Sequence, residues 1–135
     1  MAVVDASVWV SRLVSADVHH PLGQTWLETF VGSGGQCGAP ALLLAEVAGA
    51  ISPRTTEARL GQAVLQMLLR LPALRVVSVE QRLGMTAAQL AADLGLRGAD
   101  AVYVGLAQQL KVLLITWDQE QLDRTSKIIT ARQPA

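Results

Sequence analysis

Short apolar runs alternate along this chain with stretches of helical periodicity, and two of those runs close on an aspartate. No other feature limits its fold as much. Ala2-Val3-Val4 ends at Asp5, and Val112-Leu113-Leu114-Ile115 leads through Thr116-Trp117 to Asp118. Short continuous apolar runs suit strands buried on both faces, and helical segments between them suit parallel crossovers. The expected architecture is therefore an α/β, three-layer α/β/α sandwich with about five mainly parallel strands.

The intervening segments supply the helices. A helical stretch starts near Ser7 and carries Val8, Trp9 and Leu13; a second spans Pro21 to Val31 and stops at Gly32 to Gly35. After a short strand at Gln36 to Ala39, Pro40 suits the first turn of a helix, where its missing N–H costs nothing. That helix runs through Leu42, Leu43, Leu44, Glu46, Val47 and Ile51 to a stop at Ser52-Pro53, and Thr55 or Thr56 could cap the next, which reaches Leu71. Leu74 to Ser78 reads as a strand. Leu83, Ala87, Leu90 and Leu94 mark a helix over Glu80 to Leu94 that Gly95 ends, and another begins at Ala99 or Asp100. A short helix near Glu120 to Arg124 and a strand at Lys127 to Thr130 complete a single domain over 1–135.

Composition excludes several classes. The apolar share is 51% and the charged share 16%, so the chain has ample material for a core and an apolar surplus that favours a homodimer or a tight partner. No membrane span or signal segment is expected, since Gly32, Gly34, Gly35, Gly38 and Pro40 break the longest uncharged run and no basic segment precedes an apolar one. Cys37 is the only cysteine, which rules out an internal disulfide and a paired-cysteine zinc site and leaves a small buried side chain as its expected role. These features suit a cytoplasmic protein. Eleven basic residues balance 11 acidic ones; with four acids withdrawn around a metal, the remaining surface would be modestly basic.

Four acids stand where chemistry is expected. Asp5 and Asp118 follow apolar strands, and ligands of open parallel sheets bind beyond the strand carboxyl ends; each could equally cap the helix that follows. Glu46 has Leu42, Leu43, Gly49 and Ala50 as its helical neighbours, with no basic partner on that face; it could equally lie at the edge of the apolar stripe and reach solvent. Asp100 faces Tyr103, Val104 and Ala107 in the same way, or serves as a first-turn acid. Gathered together, such acids would repel by roughly 1 kcal/mol per pair about 4 Å apart in water and ~4 kcal/mol at an effective dielectric of 20. A cation or shared protons would have to offset that. Oxygen-only donors favour Mg²⁺ or Mn²⁺.

The strings Val3-Val4-Asp5-Ala6-Ser7-Val8-Trp9, Leu44-Ala45-Glu46-Val47, Arg97-Gly98-Ala99-Asp100-Ala101 and Leu114-Ile115-Thr116-Trp117-Asp118, in that order, resemble a PIN domain, and among PIN domains the VapC-like toxins of toxin–antitoxin pairs. The resemblance spans essentially the whole chain. It implies a strand order of 3-2-1-4-5, a catalytic metal site of Asp5, Glu46, Asp100 and Asp118 holding Mg²⁺ or Mn²⁺, and hydrolysis of RNA by an activated water. It gives Ser7 and Thr116 supporting roles in orienting carboxylates or water, though Ser7 could also be an N-cap. Val64, Leu65, Met67, Leu68 and Leu69 cannot all face one core, so the apolar helical pair 41–71 is either buried on two sides within the fold or, as the resemblance implies, the seat of an antitoxin partner.

Many relatives carry Asp or Asn where this chain has Glu120, which is expected to face solvent. Arg97, Arg124 and Lys127 are candidate phosphate-binding residues or ordinary solvated charges. Trp9, Trp26 and Trp117 are expected to pack, and His19 and His20 to lie in an exposed loop. The rival to a nuclease is a PIN-fold module that binds RNA or protein without cutting.

Overall fold

A strand with no exposed side chain has to sit inside a sheet covered on both faces. Strand β1 (Ala2–Val4) meets that condition, with Val3 and Val4 both at 0% exposure, and it forms the centre of the fold. The computed structural model describes residues 1–55 and 58–135. From β1 the chain passes through α1 (Ala6–Leu13) and α2 (His20–Gly32) to β2 (Cys37–Pro40), and through α3 (Leu42–Thr55) and α4 (Ala58–Arg70) to β3 (Leu74–Val77). It then returns through α5 (Gln81–Leu94) and α6 (Gly98–Leu110) to β4 (Leu113–Ile115), and ends with α7 (Gln119–Thr125) and β5 (Ala131–Arg132).

The five strands lie in the order β3-β2-β1-β4-β5, all parallel. Ala2, Val3 and Val4 pair with Leu113, Leu114 and Ile115, so β1 and β4 end level with one another. The chain builds outward to β3 and then reverses to β4. Right-handed crossovers therefore place α1–α4 on one face of the sheet and α5–α7 on the other, which is the expected three-layer sandwich. Helix α6 is buried along Ala101 and from Tyr103 to Ala107 because it lies over β1, β2 and β4 and packs against α5. Among the described residues no helix is long and apolar enough to cross a membrane.

Local chemistry explains most boundaries. Gly95 takes a left-handed conformation (φ 67°) that ends α5, as expected. Lys111 adopts the same conformation (φ 57°) at the end of α6, where a side chain is disfavoured. Three expectations are corrected. Pro40 closes β2 instead of opening a helix; its partner there is Val77, and Ala41 N–H rather than Pro40 continues the bonding to the Val77 carbonyl. Helix α3 runs past Ser52-Pro53 to Thr55, since a proline in a last turn forfeits a single backbone bond. The last strand is Ala131–Arg132, not Lys127 to Thr130: the N–H groups of Ile128 and Ile129 both turn back to the Thr125 carbonyl and delay the strand. The cap expected at Thr55 or Thr56 lies outside the described residues for Thr56, and α3 includes Thr55. Cys37 is fully buried, and burial pushes its thiol up to about 11.

Candidate active site

The level ends of β1 and β4 mark the point where the chain's winding reverses, and both emit an acid into the crevice there. Asp5 caps α1: its Oδ2 accepts from Ser7 N–H at 3.1 Å and from the Thr116 hydroxyl at 3.1 Å. Asp118 caps α7, with Oδ1 accepting from the N–H groups of Glu120 at 2.9 Å and Gln121 at 3.3 Å. Both acids therefore cap helices, and each carboxylate keeps a second oxygen or lone pair for other partners. Ser7 is not an N-cap, since Asp5 holds that position; its hydroxyl accepts from Trp117 N–H at 3.1 Å and ties α1 to the end of β4. Thr116, fully buried, accepts from Asp118 N–H at 3.0 Å while donating to Asp5. Both supporting residues therefore stitch the two aspartate-bearing segments to each other.

Helix α6 brings Asp100 to the same crevice in its first turn. Gln121 on α7, only 1% exposed, donates its amide to Asp100 Oδ1 at 3.2 Å and to Asp5 Oδ1 at 3.5 Å. Arg97 donates from Nε to Asp100 Oδ2 at 3.1 Å and from its terminal nitrogen to Asp118 Oδ2 at 3.4 Å. Glu46 reaches across from α3 and accepts from the Tyr103 hydroxyl of α6 at 2.8 Å. Tyr103, Gln121 and the bridging role of Arg97 are not evident in the sequence. Tyr103 stands on the same helical face as Asp100, and that spacing is the only sequence signal that it belongs with the acids.

Glu46 stands close enough to the other acids to feel their charge. Burial raises its carboxyl above the ordinary range; the Tyr103 hydrogen bond pulls it down, the charges of Asp5 and Asp100 push it up, and Arg97 opposes them. Burial likewise raises Asp100, against the hydrogen bond and charge of Arg97 and with the charges of Asp5 and Asp118. Burial and the Glu46 carboxylate push the Tyr103 phenol upward, so it stays a donor.

The donor chemistry fits a hard divalent cation: four carboxylates, and beside them Gln121 Oε1, buried and without a hydrogen-bond partner. Among the described residues, however, no three His, Cys, Asp or Glu side chains are grouped so as to hold a metal as they stand. Arg97 and Gln121 donate to carboxylate oxygens of Asp5, Asp100 and Asp118.

Other candidates fall outside the cluster. Glu120 is half exposed and pairs with Arg124 at 2.5 Å, as a solvent-facing residue would. Arg124 also donates to the Gly95 carbonyl, and Lys127 is exposed. His19 and His20 are not an exposed loop: His19 stacks on Trp117 at 4.1 Å, and His20, the first residue of α2, contacts the Ser11 carbonyl through Nδ1 at 2.8 Å. The tryptophans pack as expected. Trp9 is buried, Trp26 stacks on Phe30, and Trp117 Nε1 donates to the Ser11 hydroxyl at 3.0 Å.

A five-stranded parallel sheet in this order, with acids from four segments at its switch point, defines a PIN-type α/β sandwich. Residues 2–128 match the PIN domain family, and the chain belongs to it. Its fold is similar to VapC20 of Mycobacterium tuberculosis, described as a sarcin–ricin loop cleaving toxin (TM-score 0.77, 16% identity, covering 96% of this chain and 97% of that one). It is also similar to FitAcB of Neisseria gonorrhoeae (TM-score 0.75, 17% identity, 99% and 98% covered). A third similar structure is a toxin–antitoxin complex from Klebsiella pneumoniae (TM-score 0.72, 16% identity, 100% and 98% covered). No curated protein sequence matches the chain.

Proposed function

We propose that this PIN protein is a divalent-metal-dependent endoribonuclease and the toxin of a toxin–antitoxin pair. The observation that carries the reading is the convergence of Asp5, Asp100 and Asp118 on shared donors, Gln121 and Arg97, at the sheet's switch point, with Glu46 coupled to them. Asp5, Glu46, Asp100 and Asp118 would hold Mg²⁺ or Mn²⁺, directly or through water. The bound cation would supply charge stabilisation and an acidified water for attack on the phosphodiester.

The chain's own residues do the rest. Ser7 and Thr116 fix the orientation of Asp5 against β4, and Tyr103 fixes Glu46. Arg97 at the acids, and Arg124 and Lys127 outside the cluster, offer cations for backbone phosphates of RNA. No side chain is assigned as a covalent nucleophile.

The partner surface lies on α3 and α4. Met67 and Leu69 are 43% and 55% exposed while Leu68 of the same helix is buried, so α4 keeps apolar surface turned away from the core. A cleft of about 670 Å³ between α1, α3 and α4, lined by Leu13, Val14, Ile51, Leu60 and Val64, suits an apolar antitoxin segment. The structural relatives include a toxin–antitoxin complex, which supports the same partner for this chain. A homodimer in the cytoplasm completes the proposal.

One observation favours the non-cutting module: Arg97 already pairs with both Asp100 and Asp118. Incubating purified, antitoxin-free protein with structured RNA in Mg²⁺ or Mn²⁺ separates the two. Cleavage that EDTA abolishes supports the nuclease; intact RNA retained by the protein in either metal favours the binder.

A further inference from the structure

Arg97 differs from the other donors of the site in how it is held. Gln121 reaches the acids from a fully buried position on α7, and Tyr103 from the interior of α6. The Arg97 side chain, by contrast, is 76% exposed, and its carboxylate partners are 14% and 22% exposed. It stands at the N-cap position of α6 but makes no side-chain cap bond, so the carboxylates are what engage it. Its fork spans acids of two different elements, Asp100 of α6 and Asp118 ahead of α7. The carboxylates it occupies are two of the four assigned above to the cation. Exposed ion pairs of this kind are weak and readily exchanged, whereas the burial of the acids maintains their demand for positive charge.

We propose that Arg97 is a built-in placeholder cation, which closes the acid cluster in the metal-free protein, yields the carboxylates when a divalent ion binds, and is thereby released to contact an RNA phosphate. This rests on the metal-dependent reading above and adds a positioning residue to it. The guanidinium is suited to both duties, since its planar fork matches carboxylate and phosphate geometry alike.

The test compares wild type, Arg97→Gln and Arg97→Lys by calorimetric titration with Mn²⁺ in the absence of RNA. A second readout is binding of a short RNA in EDTA and in Ca²⁺, an oxygen-preferring ion used to limit cleavage. Removing a competitor should tighten Mn²⁺ binding in Arg97→Gln by about two- to fivefold, as expected for a solvent-exposed pair. Arg97→Lys, which keeps the charge but cannot fork, should fall between. In EDTA wild type and Arg97→Gln should bind RNA alike; in Ca²⁺ wild type should bind more tightly. A merely structural ion pair would lower stability and leave both patterns flat, which overturns the proposal. Weaker Mn²⁺ binding by Arg97→Gln would also overturn it, by making Arg97 part of the loaded site. Wild type that binds no Mn²⁺ at all would refute the metal reading itself, and the placeholder with it.

Discussion

Replacing Tyr103 by Phe removes one oxygen and leaves a fully buried ring in place, so the change isolates the bond to Glu46. That bond, 2.8 Å long, joins α6 to α3 across the sheet's carboxyl edge. A hydrogen bond to a charged group contributes about 1.5–3 kcal/mol when fully buried. Glu46 is half-buried, so water can take over part of the lost contact, and about 1–2 kcal/mol is the reasoned cost for Tyr103→Phe. For a chain of this size that corresponds to a fall in Tm of about 3–8 °C. The assay is thermal unfolding in EDTA of wild type, Tyr103→Phe, Glu46→Gln and the double variant. Non-additivity of about 1 kcal/mol in this cycle would measure the pair directly. Additive effects within about 0.5 kcal/mol, or a Tyr103→Phe protein that melts with wild type, would refute the contact and with it the positioning of Glu46.

Other expectations follow from single features. Lys111→Gly should stabilise the protein by about 1 kcal/mol, because a left-handed residue with a side chain gives way to one without strain; thermal melts check the sign. Cys37 should resist alkylation in the folded protein at pH 8 and react at once on unfolding, since burial holds the thiol protonated up to about 11. Its folded pKa lies above the unfolded value, so the associated stability is complete below about 9 and is lost as pH rises through about 11, which melts between pH 8 and 11.5 would reveal. Gly61→Ala should loosen the α3–α4 pair, because the added methyl would meet the Ala48 carbonyl at 3.2 Å and crowd the Ser52 hydroxyl; a lower Tm and weaker binding of any antitoxin segment would show it.

The parts of this fold written locally were readable in the sequence. Val3-Val4-Asp5 and Leu114-Ile115 through Asp118 mark central strands and their acids, and Gly95 marks a helix end. The resemblance, not the periodicity, supplied the strand order. Features set by distant contacts were not readable. Glu46 shows no local partner because its partner is Tyr103, 57 residues away on another helix. Gln121 reads as an ordinary polar residue on a short helix, and only the approach of α6 to α7 turns it toward Asp5 and Asp100. The histidines read as loop because the stacking of His19 on Trp117 joins residues at opposite ends of the chain. Pro40 misleads because a proline that opens a helix and one that ends a strand share the same residue and differ only in what pairs beside them.

The central claim is that acids from separate elements act as one site. It is tested most directly by RNA cleavage with purified Asp5→Asn and Asp100→Asn beside wild type in Mg²⁺ and Mn²⁺, each variant first shown to be folded by circular dichroism. Both folded variants are expected to lose cleavage, since each removes a carboxylate charge from the same cluster. A folded variant of either kind that cleaves at the wild-type rate would contradict it and remove that acid from the site.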